Sequence, residues 1–160
     1  MLSEIRSDDR REELNRFLTS TYVGSLATAG VDGVSVATIW FVSKDGILYF
    51  KSRTASGHSH HAKTNPSCMI AAYAHNSNYN DKYGVQIKGD VERVLELNEM
   101  GLVTELYESS FAGSSKKLPS LEELCSADVA STFYKFTCRA FKITDETSDG
   151  NRTMNEYRDI

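Results

Sequence analysis

Apolar residues recur along this chain with two different periods, and the switches between them lay out the elements. Leu14, Phe17 and Leu18 repeat at i, i+3 and i+4, which predicts a helix over 8–20. Ser7 can cap it, and Asp8 and Asp9 fall in its first turn, where the helix dipole favours negative charge. From residue 22 the pattern changes to short runs of β-branched, aromatic and small residues. Strands are predicted over 22–29, 34–42 and 47–52, joined by a turn at 30–33 and by Asp45-Gly46, a strong hairpin dipeptide.

Residues 56–65 are polar and rich in His and Ser, and read as a short helix ended by Asn65-Pro66. Apolar strands follow over 67–74 and 83–95, separated by a polar loop at 75–82. Helical spacing returns over 96–111, with Met100, Val103 and Tyr107 on one face. A loop over 112–120, a short helix over 121–129 and a long strand over 132–144 complete the pattern. The polar tail, about 146–160, is expected to be mobile unless another chain covers it. No linker, repeat or low-complexity tract divides the chain, so one domain over 1–160 is expected. Strands and helices do not alternate regularly, which disfavours a parallel doubly wound sheet. Six antiparallel strands with a few helices predict a mainly β fold closed as a barrel, which hides strand edges.

Composition narrows the function classes. The chain has 160 residues, 40% hydrophobic and 25% charged, with a net charge of −4. No extended Lys/Arg run exists, so no nucleic-acid partner is expected. No stretch approaches the roughly 18 apolar residues of a membrane span, and residues 1–11 lack the apolar core of a signal peptide. A cytoplasmic location is the expectation, with Cys68, Cys125 and Cys138 as reduced structural thiols.

Chemistry concentrates in one stretch. GxGxxG, GxxxxGK[ST], HExxH and GxSxG motifs are all absent. Between the strand ending at Ser52 and the helix that follows lie Lys51, Ser52, Arg53, Ser56, His58, Ser59 and His61. A strand end running into a helix start offers backbone N–H groups, hydroxyls and cations together, which is what a phosphate monoester requires. Residue types alone favour a solvated polar turn over a phosphate site. His58, His60 and His61 also invite a metal or haem reading, but no nearby Cys or carboxylate pair completes a tetrahedral set. Trp40, Tyr49 and Phe50 read first as core and interface, with a wall stacked on a planar ring as the functional alternative. The scattered carboxylates suggest no acid/base pair.

The order strand, Asp-Gly, Leu48-Tyr49-Phe50-x-Ser52, polar turn, helix, Asn65-Pro66, apolar strand resembles the pyridoxamine 5′-phosphate oxidase-like flavin-binding family. The segment 85–93, Val-Gln-Ile-Lys-Gly-Asp-Val-Glu-Arg, is similar to that family's Gly-containing strand. Thr144-Asp145-x-Thr147 resembles an uncharacterised branch of it. The resemblance covers about residues 9–145 and implies a six-stranded Greek-key split β-barrel. It implies a homodimer with FMN at the interface; FAD, a deazaflavin or haem are less expected cofactors.

By the same resemblance, the strand of Ser35, Val36 and Thr38 lies along the flavin ring, and Lys51 and Ser52 contact the ring or ribityl chain. The family's Ser-x-Lys phosphate binders fall on Ser56 and His58, or, with a small indel, on Ser59 and His61. Gln86 falls where the family has a Gln that reaches the flavin edge. His58 in place of the family's Lys makes phosphate binding weaker and pH-dependent. The family's C-terminal Trp and Arg-x-His elements are not visible, which disfavours pyridoxamine phosphate as substrate. The expected function is an FMN-dependent oxidoreductase exchanging hydride with NAD(P)H or a small substrate. The alternative is a non-enzymatic flavin or haem carrier or sensor.

Overall fold

The computed structural model describes residues 2–74 and 82–145, together with short strands at 153–154 and 158–159; residues 2–9 and the two short strands are described by backbone alone. Elements run α1 (Leu2–Ser20), β1 (Val23–Gly30), β2 (Gly33–Lys44), β3 (Ile47–Arg53), α2 (Gly57–Thr64), β4 (Ser67–Tyr73), β5 (Tyr83–Arg93), α3 (Leu97–Ser110), α4 (Leu121–Leu124), β6 (Ser131–Asp145), β7 (Thr153–Met154) and β8 (Arg158–Asp159). Asp45 and Gly46 both take positive φ, 51° and 79°, as the tight β2–β3 hairpin requires.

The strands pair in the order β3-β2-β1-β4-β5-β6, and β3 also pairs with β6. Every pairing is antiparallel, so the six long strands close into a barrel. Closure removes the open edges that a flat sheet of these apolar strands would present. β6 is long enough to serve two partners along one edge. Residues 131–137 pair with β3, residues 140–141 with β8 and residues 144–145 with β7. The described parts of the predicted polar tail are therefore ladder strands rather than free chain. The rest of that tail, like the predicted loop at 75–81, lies outside the described residues.

The barrel interior holds Leu26, Phe41, Leu48, Phe50, Ile70, Ile87, Phe136 and Ile143. α1 plugs one end: Leu14, Phe17 and Leu18 join this core, and Phe17 meets Tyr83 edge-on with ring centroids 5.2 Å apart. Each such side chain contributes about 1.5–3 kcal/mol by leaving water. A second core lies outside β3 and β6, where Met100, Val103 and Tyr107 of α3 and Leu124 of α4 cover Tyr49 and Phe133. Lys135 Nζ reaches Glu99 at 3.1 Å, and the Tyr49 hydroxyl donates to the same carboxylate at 3.1 Å. This tie pins α3 to the barrel wall.

Two boundaries differ from the sequence expectation by more than two residues. α1 starts at Leu2 rather than near residue 8. α4 spans only Leu121–Leu124, where a helix over 121–129 is predicted. Its start is sound, because Ser120 and Glu123 form a reciprocal capping box. Its end comes early: the Cys125 amide makes an i→i−4 bond, to Leu121, and the Ser126 amide tightens onto the Glu123 carbonyl three residues back. The freed residues run to the start of β6 and help wall a cavity.

Candidate functional site at the barrel split

β2 and β3 pair from Lys44↔Ile47 to Phe41↔Phe50 and then part. Beyond that point β2 stays with β1 and β3 stays with β6. α2 sits in the opening. Ser35 on β2 forms one lip, 3.7 Å from where a side chain would begin on Gly57. Ser52 on β3 forms the other.

Four of the predicted residues converge here. Ser52 Oγ lies 2.6 Å from His58 Nε2 and 3.1 Å from Ser56 Oγ. Ser56 Oγ lies 3.1 Å from the same imidazole nitrogen and 2.8 Å from Ser59 Oγ. Ser56 also caps α2, accepting from the Ser59 amide at 3.4 Å. Three hydroxyls, one imidazole and the first amides of an eight-residue helix thus occupy one spot. Opposite Ser52 in the ladder stands Thr132, fully buried, whose Oγ1 has no hydrogen-bond partner. Paired residues on neighbouring strands share a face, so this orphan hydroxyl stands beside the cluster. A compact set of hydroxyls and one imidazole beside a buried hydroxyl awaiting a partner fits an oxyanion such as a phosphate monoester. Burial, with a smaller push from His61, holds the His58 pKa below the ordinary imidazole value. Its ring also lies against Phe50, with centroids 6.3 Å apart.

The remaining predicted residues separate into other environments. His61 is 3% exposed and faces away from the cluster. Its Nδ1 meets Thr28 Oγ1 at 3.0 Å and its Nε2 meets Asp32 Oδ1 at 2.7 Å. Of the two imidazoles expected near a phosphate, only His58 joins the cluster. The bond from His61 holds the Asp32 carboxyl below the usual carboxylate range. Gly30 makes this slot, since a β-carbon there would lie 2.4 Å from the imidazole Cδ2. Lys51 and Arg53 alternate with Ser52 and fall on the opposite face of β3, beside Phe133 and Ser131 in the ladder. Val36 and Thr38 alternate with Ser35 and project from the outer wall.

Gln86 lies on that same outer wall. Thr38, Ser25, Ala71 and Gln86 form one row across β2, β1, β4 and β5. Three strand spacings put Gln86 about 14 Å from Thr38 within one chain. This wall carries Val34, Val36, Trp40 and Tyr73, all strongly exposed, with Val34 at 77% and Val36 at 68%. Tyr49 and Phe50 are buried core residues, whereas Trp40 keeps an exposed ring beside Phe111.

Sequence reading misses Thr28, Asp32, Tyr107 as a polar residue, and Thr132. Asp32 reads as a turn residue and Tyr107 as core; their partners come from distant elements, which no local spacing reports. Among the described residues, no three His, Cys, Asp or Glu side chains group as metal ligands, and no helix is long and apolar enough to cross a membrane. Cys68 and Cys138 have their thiols pushed up to about 12, chiefly by burial.

The fold matches solved structures at low identity. A conserved hypothetical protein from Mycobacterium tuberculosis matches with a TM-score of 0.70 and 19% identity, over 91% of this chain and 90% of that one. A FAD-binding protein from Mesorhizobium loti matches at 0.63 and 18%, over 82% and 89%. A haem-binding protein from Mycobacterium smegmatis matches at 0.61 and 14%, over 84% of this chain and 53% of that one. No curated protein matches the chain. The family model for pyridoxamine 5′-phosphate oxidase matches residues 11–149, most of the chain. This antiparallel barrel, split between β2 and β3, therefore belongs to the pyridoxamine 5′-phosphate oxidase family.

Proposed function

We propose that this chain binds a flavin through its FMN moiety at the barrel split, as a cytoplasmic homodimer, and works as an oxidoreductase. The observation that carries the reading is the Ser52–Ser56–His58–Ser59 cluster at the start of α2, with the orphan Thr132 hydroxyl beside it. These groups would hold the phosphate, while Ser35 lines the opposite lip. The bound flavin would supply the hydride chemistry; the protein contributes binding, orientation and exclusion of water.

A second copy is part of the proposal. Within one chain, Thr38 and Gln86 are too far apart to touch one small ring, and neither faces the α2 cluster. Two copies packed through the outer wall would bring one copy's Gln86 towards the other's β2. The same packing would cover the valines that now face water, as obligate interfaces do.

The test is an absorbance spectrum of purified protein supplemented with FMN. A two-banded flavin spectrum that travels with the protein, and quenching of Trp40, the single tryptophan, are expected. Bleaching of those bands by NAD(P)H without air supports the oxidoreductase over the carrier. Colourless protein in excess FMN overturns the flavin reading, and a Soret band after reconstitution replaces it with haem.

A further inference from the structure

A cavity of about 570 Å³ opens on the far side of the turn that carries the cluster, walled by α2, the end of β5 and the segment between α4 and β6. Thr54, Ser59, Lys63, Arg93, Asp128 and Tyr134 line it. Ser59 belongs to both places: its hydroxyl meets Ser56 at 2.8 Å and Ser52 at 3.4 Å, so the cavity continues directly from the candidate phosphate site.

Its electrostatics are specific. Lys63 from α2 and Arg93 from β5 bring two cations to one hollow. Arg93 Nε is enclosed and has no hydrogen-bond partner, and its Nη2 has only a long contact, 3.5 Å, to the Leu124 carbonyl. A guanidinium has five N–H donors and no acceptor, so an enclosed unpartnered donor calls for an acceptor such as a phosphate oxygen. Glu92 also borders the cavity, but Lys135 engages its carboxylate at 3.4 Å. Asp128 at the rim offers an acceptor for an amino group. Two cations in the lining, one carboxylate at the rim and far more room than an inorganic ion needs describe a site for a nucleoside phosphate with an amino-bearing base.

We infer that this cavity receives the adenylate arm of a flavin dinucleotide, so that the chain binds FAD in preference to FMN. The inference rests on the flavin reading above and deepens it. The proximal phosphate would lie on the Ser52–Ser56–His58–Ser59 cluster, the distal phosphate on Lys63 and Arg93, and the base near Asp128.

The test compares FMN, FAD and AMP binding by calorimetry for wild type, Lys63→Gln and Arg93→Gln. Lys63 is exposed, so its variant keeps the fold, and it also guards against misfolding of the Arg93 variant. FAD should bind wild type at least about tenfold more tightly than FMN, the weight of one charge-assisted hydrogen bond. That margin should vanish in both variants while FMN affinity stays unchanged. AMP alone should bind wild type and not Lys63→Gln. Equal affinities of wild type for FMN and FAD overturn the inference and leave the flavin reading standing. Lys63-dependent AMP binding with no flavin binding overturns the flavin reading and this inference together, and leaves the cavity as a nucleotide site.

Discussion

The Tyr107 hydroxyl donates to the Trp40 carbonyl at 2.8 Å and accepts from the Lys51 amide at 3.0 Å, standing where the next β2–β3 rung would be. Phe41↔Phe50 is the last direct pair, and Trp40 and Lys51 would be the next. A helix side chain thus satisfies both strands at the point where they part. Burial pushes the Tyr107 pKa upward, so the hydroxyl stays protonated and can make both bonds at any ordinary pH. Tyr107→Phe removes one atom and strands two backbone groups. It should cost about 1–3 kcal/mol, the usual penalty for a buried group left without a partner. Urea unfolding of the two proteins checks this; an unchanged midpoint means that the strands can close the gap themselves.

His58 gives the site a pH response. Burial keeps its free-protein pKa below the ordinary value near 6.5, so the free imidazole is mostly neutral at pH 7. A bound phosphate dianion favours the imidazolium and raises the pKa in the complex. A group whose pKa rises on binding contributes fully below its free value, and the contribution is lost as pH rises through the bound value. The phosphate's own protonation near pH 6 acts on every variant alike. The ratio of FMN affinities, wild type over His58→Lys, should therefore fall as pH increases from about 6 to 8.5. A ratio independent of pH would show that His58 carries no charge on the phosphate.

Gly30 and His61 should behave as a coupled pair. Gly30→Ala would put a methyl group 2.4 Å from the buried ring and should destabilise by about 1–3 kcal/mol, the usual range for overpacking. Removing the ring as well should recover part of that loss, giving a double-mutant coupling energy above about 0.5 kcal/mol. Thermal melts of the two single variants and the double variant measure it. Strict additivity would place the strain elsewhere.

The outer wall sets a prediction about assembly. Val36 is exposed in the single chain, so Val36→Glu has little reason to disturb its fold. In a dimer of about 2,000 Å² or more, an unpaired carboxylate in the middle of the interface is strongly unfavourable. Light scattering at micromolar concentration should give a dimer for wild type and a monomer for the variant. A wild-type monomer removes the dimer and, with it, the role proposed for Gln86.

Legibility followed the range of the interactions. The six long strands and α2 could be read because alternation, Asp45-Gly46 and Asn65-Pro66 act within a few residues. The start of the cluster was legible for the same reason: Ser52, Ser56, His58 and Ser59 lie within eight positions, and the short helix turns them together. His61 shared their composition but not their place, because its partners Thr28 and Asp32 arrive from β1 and the following turn. Lys51 was separated from Ser52 by the strand's alternation, which the residue types alone do not orient. Arg93 and Thr132 gained meaning only from their missing partners, and a missing partner leaves no trace in a sequence.

β6 is the last of the long strands and also the one that closes the barrel, pairing with β3 across a separation of nearly eighty residues. During synthesis, β1 to β5 would leave the ribosome with β3 and β5 both lacking a neighbour until residues 131–145 follow. Such long-range closure is slow and exposes sticky edges in the meantime. A nascent chain stalled before residue 131 should therefore bind holding chaperones and resist compaction, and release of one further strand should complete the fold in a single cooperative step.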